Sequence, residues 1–401
     1  MIRCINIDWL ELYCLEPAQP RDAQFFRDHG WSVREREYGT RVYAEMFVLD
    51  GTDYYPLIEV RRKPISSVLE PYACHIRLTN RTCYFQDAIP RLVKFLADYG
   101  YHVQRISRID LALDFERFDS GDDPQVFVHR YMRGKYAKIN QSNISAHGRD
   151  DWSAREWNSL SWGSLSSPLG TKLYNKTLEL KEVKDKPYIR QAWFLSHLVD
   201  DPERLTRRRS SGEVYSPTIW RLEFSIRSAV KNWVRLERDG RRGDWQSVRN
   251  TLSMYDTRDK MLSMFASLVR HYFHFKHYVE GKSKYKCDDK ELFSFAPSDE
   301  YYEVEKVASP QKPDHDLLTL LSRLRQYRRT HSRADQRQAA DALIKCIEDE
   351  DMSRLNSNPW SRAELQALQL AIAGRLKGQQ TTIASILDEI HAIEESGDEL
   401  F

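Results

Sequence analysis

Apolar and polar residues alternate with a period of two in several short segments of the first 280 residues. This alternation is typical of strands that bury one face. The segments are 2–14, 41–49, 55–62, 75–78, 106–115, 157–163, 171–176 and 218–227. Asp50-Gly51 separates the second segment from the third, and Asp-Gly is a common hairpin turn. The pattern therefore predicts a largely antiparallel sheet.

Four other segments carry apolar residues at helical spacing, namely 85–99, 125–136, 188–198 and 256–279. The first of them ends before Gly100, a favourable residue just beyond a helix terminus. The stretch 295–314 contains three prolines and no clear period, and the pattern after it is helical to the end. We therefore predict an α+β fold with helices packed on an antiparallel sheet in a large domain (1–294), a linker (295–314) and a small all-α domain (315–401).

Composition limits the cellular location of the protein and the kinds of site that it can contain. The chain has 401 residues, and its six cysteines form no Cys-x-x-Cys pair, which argues against a zinc site or a disulfide framework. The N-terminal segment lacks the apolar run of a signal peptide, and no stretch reaches the roughly 20 apolar residues of a membrane span. We expect a cytoplasmic protein that does not enter membranes. Lys and Arg number 61 against 59 Asp and Glu, so nucleic-acid binding would need a local basic surface.

Three of the predicted strands carry charged residues at every second position inside apolar runs. One such strand is ordinarily an amphipathic strand with its polar side in water. Three of them in one sheet would assemble carboxylates, a tyrosine and several cations on one surface. The residues are Arg108, Asp110 and Asp114 in 106–115, Lys172, Tyr174 and Lys176 in 171–176 with Glu179 after them, and Arg221, Glu223 and Arg227 in 218–227.

This set of side chains suits phosphodiester transfer. Carboxylate oxygens bind Mg²⁺ or Mn²⁺, and the ion polarises a scissile phosphate. A tyrosine hydroxyl can attack phosphorus and form a covalent ester, but its ordinary pKa of about 10 means that it needs a nearby cation. Lys176 lies two residues beyond Tyr174 and is suited to that role. Arg108, Arg221 and Arg227 are candidates to bind the flanking phosphates of DNA.

The order of four segments resembles the Rep_trans group of rolling-circle replication initiators, which also includes conjugative-element relaxases and filamentous-phage initiators. The matching segments are IDWLEL, SRIDLALDFE, WGSLSSPLGTKLYNKTLE and WRLEFSIR. They contain a Gly-Ser element, a Tyr-x-Lys-x-x-Glu element and an Arg-x-Glu element in the order found in that group. The resemblance covers about residues 5–280.

The resemblance implies an endonuclease and strand transferase that nicks one strand at an origin and stays joined to the 5′ phosphate. The freed 3′ hydroxyl would prime replication, and a host helicase would unwind the duplex. Tyr174 carries over as the nucleophile, and the acidic positions that would supply metal ligands carry over as Asp110, Asp114, Glu179 and Glu223. The chain departs from the group in its Ser-Ser-Pro-Leu-Gly stretch before Tyr174, which leaves Tyr188 as a second candidate for the nucleophile.

Two further basic regions are candidate DNA contacts. Arg208 lies in an Arg-Arg-Arg run that is equally well explained as a solvated loop. Arg328 and Arg329 belong to an arginine-rich helical segment with few interleaved acids, which favours phosphate binding. We expect the partner to be origin DNA, both supercoiled double-stranded and single-stranded. The helical segments 360–376 and 382–393 form a candidate homodimer surface.

Two alternative functions stay open at this point. The first is a relaxase of a mobile element, which would use the same chemistry. The second is a non-catalytic DNA-binding regulator that keeps the fold without the cutting activity. The presence of Tyr174, Lys176, Glu179 and Glu223 together argues against the regulator.

Overall fold

The computed structural model describes residues 2–50, 57–65, 69–140, 144–151, 154–164, 167–237, 246–295 and 300–305. Its strands, in chain order, are β1 (Arg3–Leu15), β2 (Ser32–Glu35), β3 (Tyr43–Asp50), β4 (Ile58–Pro64), β5 (Ala73–Leu78), β6 (His102–Phe115), β7 (Tyr136–Lys138), β8 (Ile144–Asp151), β9 (Ala154–Trp162), β10 (Leu169–Asn175), β11 (Arg207–Arg208), β12 (Val214–Tyr215), β13 (Trp220–Arg227), β14 (Asn232–Glu237), β15 (Gln246–Arg249), β16 (Phe275–His277), β17 (Asp289–Lys290) and β18 (Glu300–Val304).

The helices are shorter and more widely spaced along the chain. They are α1 (Ala23–Asp28), α2 (Asn80–Cys83), α3 (Ala88–Asp98), α4 (Pro124–Met132), α5 (Lys176–Glu182), α6 (Pro187–Leu195) and α7 (Arg258–Tyr272), with 3-10 turns at Leu252–Met254 and Lys284–Lys286. Among the described residues, no helix has the length and apolar character needed to cross a membrane.

A ten-stranded sheet organises the fold, in the order β2-β3-β4-β5-β1-β6-β13-β10-β9-β8. Every neighbouring pair in it is antiparallel. The long central strands β1 and β6 are almost entirely paired with one another, and β13 lies on the other side of β6. The α+β prediction with a large antiparallel sheet is confirmed.

The two faces of this sheet differ, because successive side chains of a strand point to opposite sides. One face is apolar and packs against α1, α3, α4 and α7 around residues such as Leu111, Leu222 and Phe224, all fully buried. At one end of the opposite face, α5 and α6 enclose a smaller apolar cluster that includes Trp193 and Ile219. The rest of that opposite face carries the charged residues, and we call it the polar face.

Two predictions about the later elements need correction. The helix predicted over 256–279 ends at Tyr272, and Phe275–His277 forms a short strand that pairs with β7 and β17. Phe273 and Phe275 are buried there in an aromatic cluster, so packing rather than helical period decides their conformation. Within the predicted linker, Glu300–Val304 is a strand paired with β14. The predicted C-terminal helical domain lies outside the described residues.

Candidate active site on the polar face

The three charged strands lie side by side in the sheet, as the sequence predicts. β13 pairs with β6 on one side and with β10 on the other. Arg221 lies opposite Asp114, and Ser225 lies opposite Asp110. Because residues directly opposite one another share a face, the carboxylates of β6 and β13 and the cations of β10 all lie on the polar face. Lys172 and Tyr174 complete this row opposite Glu223 and Arg221.

Tyr174 lies at the junction of a strand and a helix. β10 ends at Asn175, whose side chain accepts a hydrogen bond from the backbone N–H of Leu178 and so caps α5. Lys176 is therefore the first residue of the helix and turns back over the tyrosine. The Lys176 Nζ lies 3.3 Å from the Tyr174 Oη and donates to it. The Tyr174 hydroxyl in turn donates to Glu223 Oε2 at 3.1 Å.

We call Tyr174, Lys176, Glu179 and Glu223 the tyrosine group. Lys176 is buried, and its ammonium also donates to Glu179 Oε2 at 2.6 Å. Burial and the nearby Arg221 guanidinium lower the pKa of Lys176. Burial opposes ionisation of Glu179, but the Lys176 ammonium outweighs it and holds the pKa of Glu179 below its usual value. Glu179 thus fixes the direction of the ammonium that contacts the tyrosine.

Glu223 is the most perturbed carboxyl of the tyrosine group. Burial, together with the charges of Asp110 and Asp8, raises the pKa of Glu223 to about 7. Burial and then the Glu223 charge also raise the pKa of Tyr174 well above its usual value. The phenol is therefore neutral at physiological pH, and its hydrogen-bond acceptor is a carboxyl that exchanges a proton near pH 7.

A second set of polar side chains, which we call the arginine network, lies further along the polar face. Its members are Arg221, Asp114, Asp8, Tyr84 and Trp193. The Arg221 guanidinium binds both oxygens of Asp114, at 2.6 and 2.7 Å, and donates to Asp8 Oδ1 at 2.7 Å. Trp193 Nε1 donates to Asp114 at 2.7 Å, and Arg221 and Asp114 have no exposed surface.

This arrangement corrects the roles expected for Arg221 and Asp114. A guanidinium that is fully buried and shared among Asp114, Asp8 and Tyr84 has no donor left in solvent for a DNA phosphate. The carboxylate of Asp114 is saturated in the same way by Arg221 and Trp193. Both residues support the polar face from inside the protein. Their pairing is required there, because removing one partner from a buried ion pair is costly.

Asp8 and Tyr84 are site residues that the sequence did not single out. Asp8 falls at an irregularity of β1, where the register with β6 shifts between Ile7 and Trp9. A bulge of this kind redirects a side chain. Tyr84 follows α2 and donates from its hydroxyl to Asp8 at 2.6 Å. The signal for Asp8 was present in the matching segment IDWLEL, where an acidic residue interrupts an apolar alternation.

The carboxylates expected to bind a metal ion are not equivalent. Among the described residues, no group of three or more His, Cys, Asp or Glu side chains is arranged to hold a metal ion. Asp114 and Glu179 are paired with cations. Asp110 accepts from Arg108 Nε at 2.9 Å, and burial raises its pKa despite that bond, with Asp8 adding to the rise. Asp110 and Asp8 are ion-paired as well, with Arg108 and Arg221 respectively, and burial together with the charges of both raises the pKa of Glu223.

The remaining expected DNA contacts lie at different places. Arg108 keeps 40% of its side chain exposed and lies over the Trp9 ring, 4.8 Å from its centre. Arg227 donates to the carbonyls of Ser164 and Ser167 at 2.8 Å and so holds the turn of the Gly-Ser element. Arg208 is exposed on β11. Arg328 and Arg329 lie outside the described residues.

Tyr188, the second candidate for the nucleophile, lies in the first turn of α6, next to Tyr84 of the arginine network. Its ring packs against Tyr84 with the centres 5.1 Å apart. Burial, with Asp8 adding, raises the pKa of Tyr188 to about 12. In the described contacts, its hydroxyl has neither a carboxylate acceptor nor a lysine donor of the kind that surrounds Tyr174.

The chain matches no protein-family model and no curated protein. Among solved structures it is similar to a chain described as the rolling circle replication initiator protein from Geobacillus stearothermophilus. The two sequences are 14% identical, and the alignment covers 72% of this chain and 93% of the other, with a TM-score of 0.42.

Proposed function

We propose that this protein nicks one strand of DNA at a replication origin, with Tyr174 as the nucleophile. The observation that carries the proposal is the position of the Tyr174 hydroxyl between the Glu223 carboxyl and the Lys176 ammonium. A neutral phenol with a raised pKa needs a base, and a carboxyl with a pKa near the working pH is the most effective one. Glu223, with a pKa of about 7, meets that requirement.

The reaction balances in atoms and protons with these residues and solvent water. Glu223 takes the phenolic proton as the Tyr174 oxygen forms a bond to phosphorus. The bond between phosphorus and the 3′ oxygen of the preceding nucleotide breaks, and that oxygen takes a proton from solvent water and leaves as the 3′ hydroxyl, while Glu223 later returns its proton to solvent. The protein is then joined to the 5′ phosphate through a phosphotyrosine ester, and attack by a 3′ hydroxyl reverses the step. No net hydrolysis occurs, so the ester keeps the strand ready for rejoining.

Lys176 stabilises the charge that develops during this step. Its ammonium is already hydrogen-bonded to the Tyr174 oxygen, so it need not reorganise as the phenol loses its proton. A charge-assisted hydrogen bond of this kind is roughly twice as strong as a neutral one. Lys172 adds a second positive charge, with its Nζ 4.4 Å from the centre of the Tyr174 ring.

We propose that a divalent ion acts beside the tyrosine group, although the described residues include no ready-made group of three or more His, Cys, Asp or Glu ligands. Mg²⁺ commonly binds through one or two protein carboxylates and completes its shell with water and substrate phosphate oxygens. We infer that Asp110, with Asp8 beside it, would hold Mg²⁺ or Mn²⁺, which leaves the Glu223 carboxyl free to act as the base. The bound ion would supply charge to the scissile phosphate. Asp114 and Glu179 would contribute by holding Arg221 and Lys176 in place.

The polar face beside Tyr174 offers a path for the strand. Ser159 lies opposite Tyr174 and Ser161 opposite Lys172, so the next strand carries small side chains at these positions. Lys172 is exposed there and can contact a phosphate. Small polar residues beside an exposed cation leave room for a DNA backbone whose phosphate the cation can contact.

The test is a nicking assay on supercoiled circular DNA carrying the element's own origin. Wild type is compared with Tyr174→Phe, with Tyr188→Phe as the matched control, and with wild type in a chelator. We expect open circles with protein covalently attached to the 5′ end for wild type and Tyr188→Phe, and none for Tyr174→Phe or with the chelator.

Each other result points to a different function. Nicking by Tyr174→Phe but not by Tyr188→Phe would move the nucleophile to Tyr188. Tight origin binding without nicking by wild type would favour the regulator. A relaxase would give the same covalent nick with the same free 3′ hydroxyl, because its chemistry is the same.

A further inference from the structure

A cavity of about 620 Å³ lies beside the arginine network, among β1, the turn after α2, α6 and the start of α7. Its volume falls within the roughly 300–1,000 Å³ typical of pockets for small ligands. Tyr84 forms part of the wall, and its hydroxyl also binds Asp8 and Arg221. The cavity therefore shares Tyr84 with the arginine network that supports the proposed nicking site.

The lining has an apolar floor and an aromatic rim. Ile5, Ile7 and Ile89, all nearly fully buried, form part of the floor. Tyr188 and Phe85 stand at the rim, and the Phe85 ring is 41% exposed. An exposed ring above an apolar floor suits a flat ligand, because aromatic stacking adds to the burial of apolar surface.

Polar groups are placed around the same opening. Gln86 and Gln191 line the cavity with exposed amide side chains that can both donate and accept. Arg81 and Arg258 add two exposed guanidinium groups. Asp256 is the acidic residue of the lining, and it is paired with Lys260 at 2.8 Å, which offsets its charge. The opening thus combines amides, which suit the polar edge of a flat ligand, with cations, which suit an anionic group on the same ligand.

We propose that this cavity binds one unstacked nucleotide of the substrate strand, close to the phosphate that is cut. The base would enter between Tyr188 and Phe85, the amides of Gln86 and Gln191 would contact its edge, and Arg81 and Arg258 would contact its phosphate. This inference rests on the proposed function for the identity of the strand. It adds a site that positions that strand, since a nucleotide held here fixes which phosphate reaches Tyr174.

The test uses free deoxynucleoside 5′-monophosphates, so it does not require the origin sequence. Binding to the full chain is followed by ligand-observed NMR, with deoxyribose 5-phosphate as the ligand that lacks a base. Ala192→Phe fills the cavity, and Gln86→Ala with Gln191→Ala removes two exposed amides without touching the core. Gln24→Ala, an exposed glutamine on α1, is the matched control.

We expect wild type, Tyr174→Phe and Gln24→Ala to bind the nucleotides with millimolar affinity and the sugar phosphate at least about 5-fold more weakly, as the loss of one stacking contact requires. Ala192→Phe should lose binding, and the double variant should weaken it about 3-fold or more. Binding that is equal for the sugar phosphate, or unchanged in both cavity variants, would overturn the proposal, as would no binding by wild type at 10 mM.

The result is separable from that of the nicking assay. Nucleotide binding with no nicking would leave the cavity assigned and remove the nickase function. Nicking without nucleotide binding would remove the cavity and leave the proposed chemistry. Thermal unfolding of Ala192→Phe shows whether that variant has folded, and the double variant gives an answer if it has not.

Discussion

The tyrosine group and the arginine network are built from the same kinds of side chain on adjacent parts of one sheet face, yet they differ in how their charges are satisfied. In the arginine network, Asp114 and Arg221 are fully buried and bonded at 2.6–2.7 Å. In the tyrosine group, Glu223 faces a phenol at 3.1 Å, and its pKa is raised to about 7. A buried ion pair is costly to break once it has formed, whereas a carboxyl that lacks a cation partner is available for proton transfer.

The largest effect is expected from breaking the arginine network. Arg221→Leu leaves the Asp114 carboxylate buried without its cation, which costs about 3–5 kcal/mol in the free energy of unfolding. Urea unfolding followed by circular dichroism measures this loss. Tyr174→Phe is the matched variant in the tyrosine group, and it should change the stability by less than about 1.5 kcal/mol, the usual worth of one hydrogen bond. Equal losses in the two variants would contradict the distinction drawn here.

Glu223→Gln should reduce the nicking rate by about 100-fold or more, because the amide cannot take the phenolic proton. Origin binding should persist, since the side chain keeps its shape. Gel-shift titration beside the nicking assay separates the two effects. A variant that nicks at the wild-type rate would show that Glu223 is not the base.

The raised pKa of Glu223 predicts opposite responses of nicking activity and folding stability to pH. Glu223 must lose its proton to act as a base, so the nicking rate should rise about 10-fold per pH unit below about 7 and level off above it. Its folded pKa exceeds its ordinary value of 4.5, so the folded state holds the proton more tightly. The contribution of Glu223 to stability is therefore present at low pH and lost as the pH rises through about 7.

Glu223→Gln removes this titration and provides the control. Relative to wild type, the variant should become more stable as the pH rises from 5 to 8, as measured by urea unfolding at each pH. A stability difference that stays constant over this range would place the pKa of Glu223 elsewhere.

Lys176→Met should lower the nicking rate by about 10-fold, because the developing phenolate loses a charge-assisted hydrogen bond. The rate loss should exceed any change in DNA affinity, since the ammonium is buried and directed at Tyr174 and Glu179. Single-turnover rates at saturating DNA measure the chemical step directly. An affinity loss as large as the rate loss would instead make Lys176 a phosphate contact.

The smallest effect is expected at the exposed edge of the tyrosine group. Lys172→Ala should weaken DNA binding about 3-fold and reduce the slope of log affinity against log salt by about 1, as the loss of one phosphate contact does. Lys181→Ala, another exposed lysine, is the control. If both variants behave alike, Lys172 is simply part of the solvated surface.

Much of the architecture could be predicted from the pattern of residues, because period-two alternation and turn residues act locally. The segments 106–115, 171–176 and 218–227 were predicted as strands that would form one charged surface if they shared a sheet, and they do share one. The helix predicted over 256–279 was too long. Its last apolar residues, such as Phe273 and Phe275, are buried in an aromatic cluster beyond the end of the helix. The roles of Arg328 and Arg329, the homodimer surface and the helicase partner stay predictions.

The sequence by itself determined which residues of β6, β10 and β13 share the polar face, because side chains alternate along each strand. Asp8 reaches that face at a bulge of β1, which the alternation does not predict. Only the tertiary structure decided which of these charged side chains form ion pairs with one another. Asp114 and Glu223 follow the same local pattern, but Trp193 and Arg221 enclose the first, whereas Asp110 and Asp8 repel the second. Burial and pairing depend on residues that are far apart along the chain, and these set whether a carboxyl supports the fold or takes part in the chemistry.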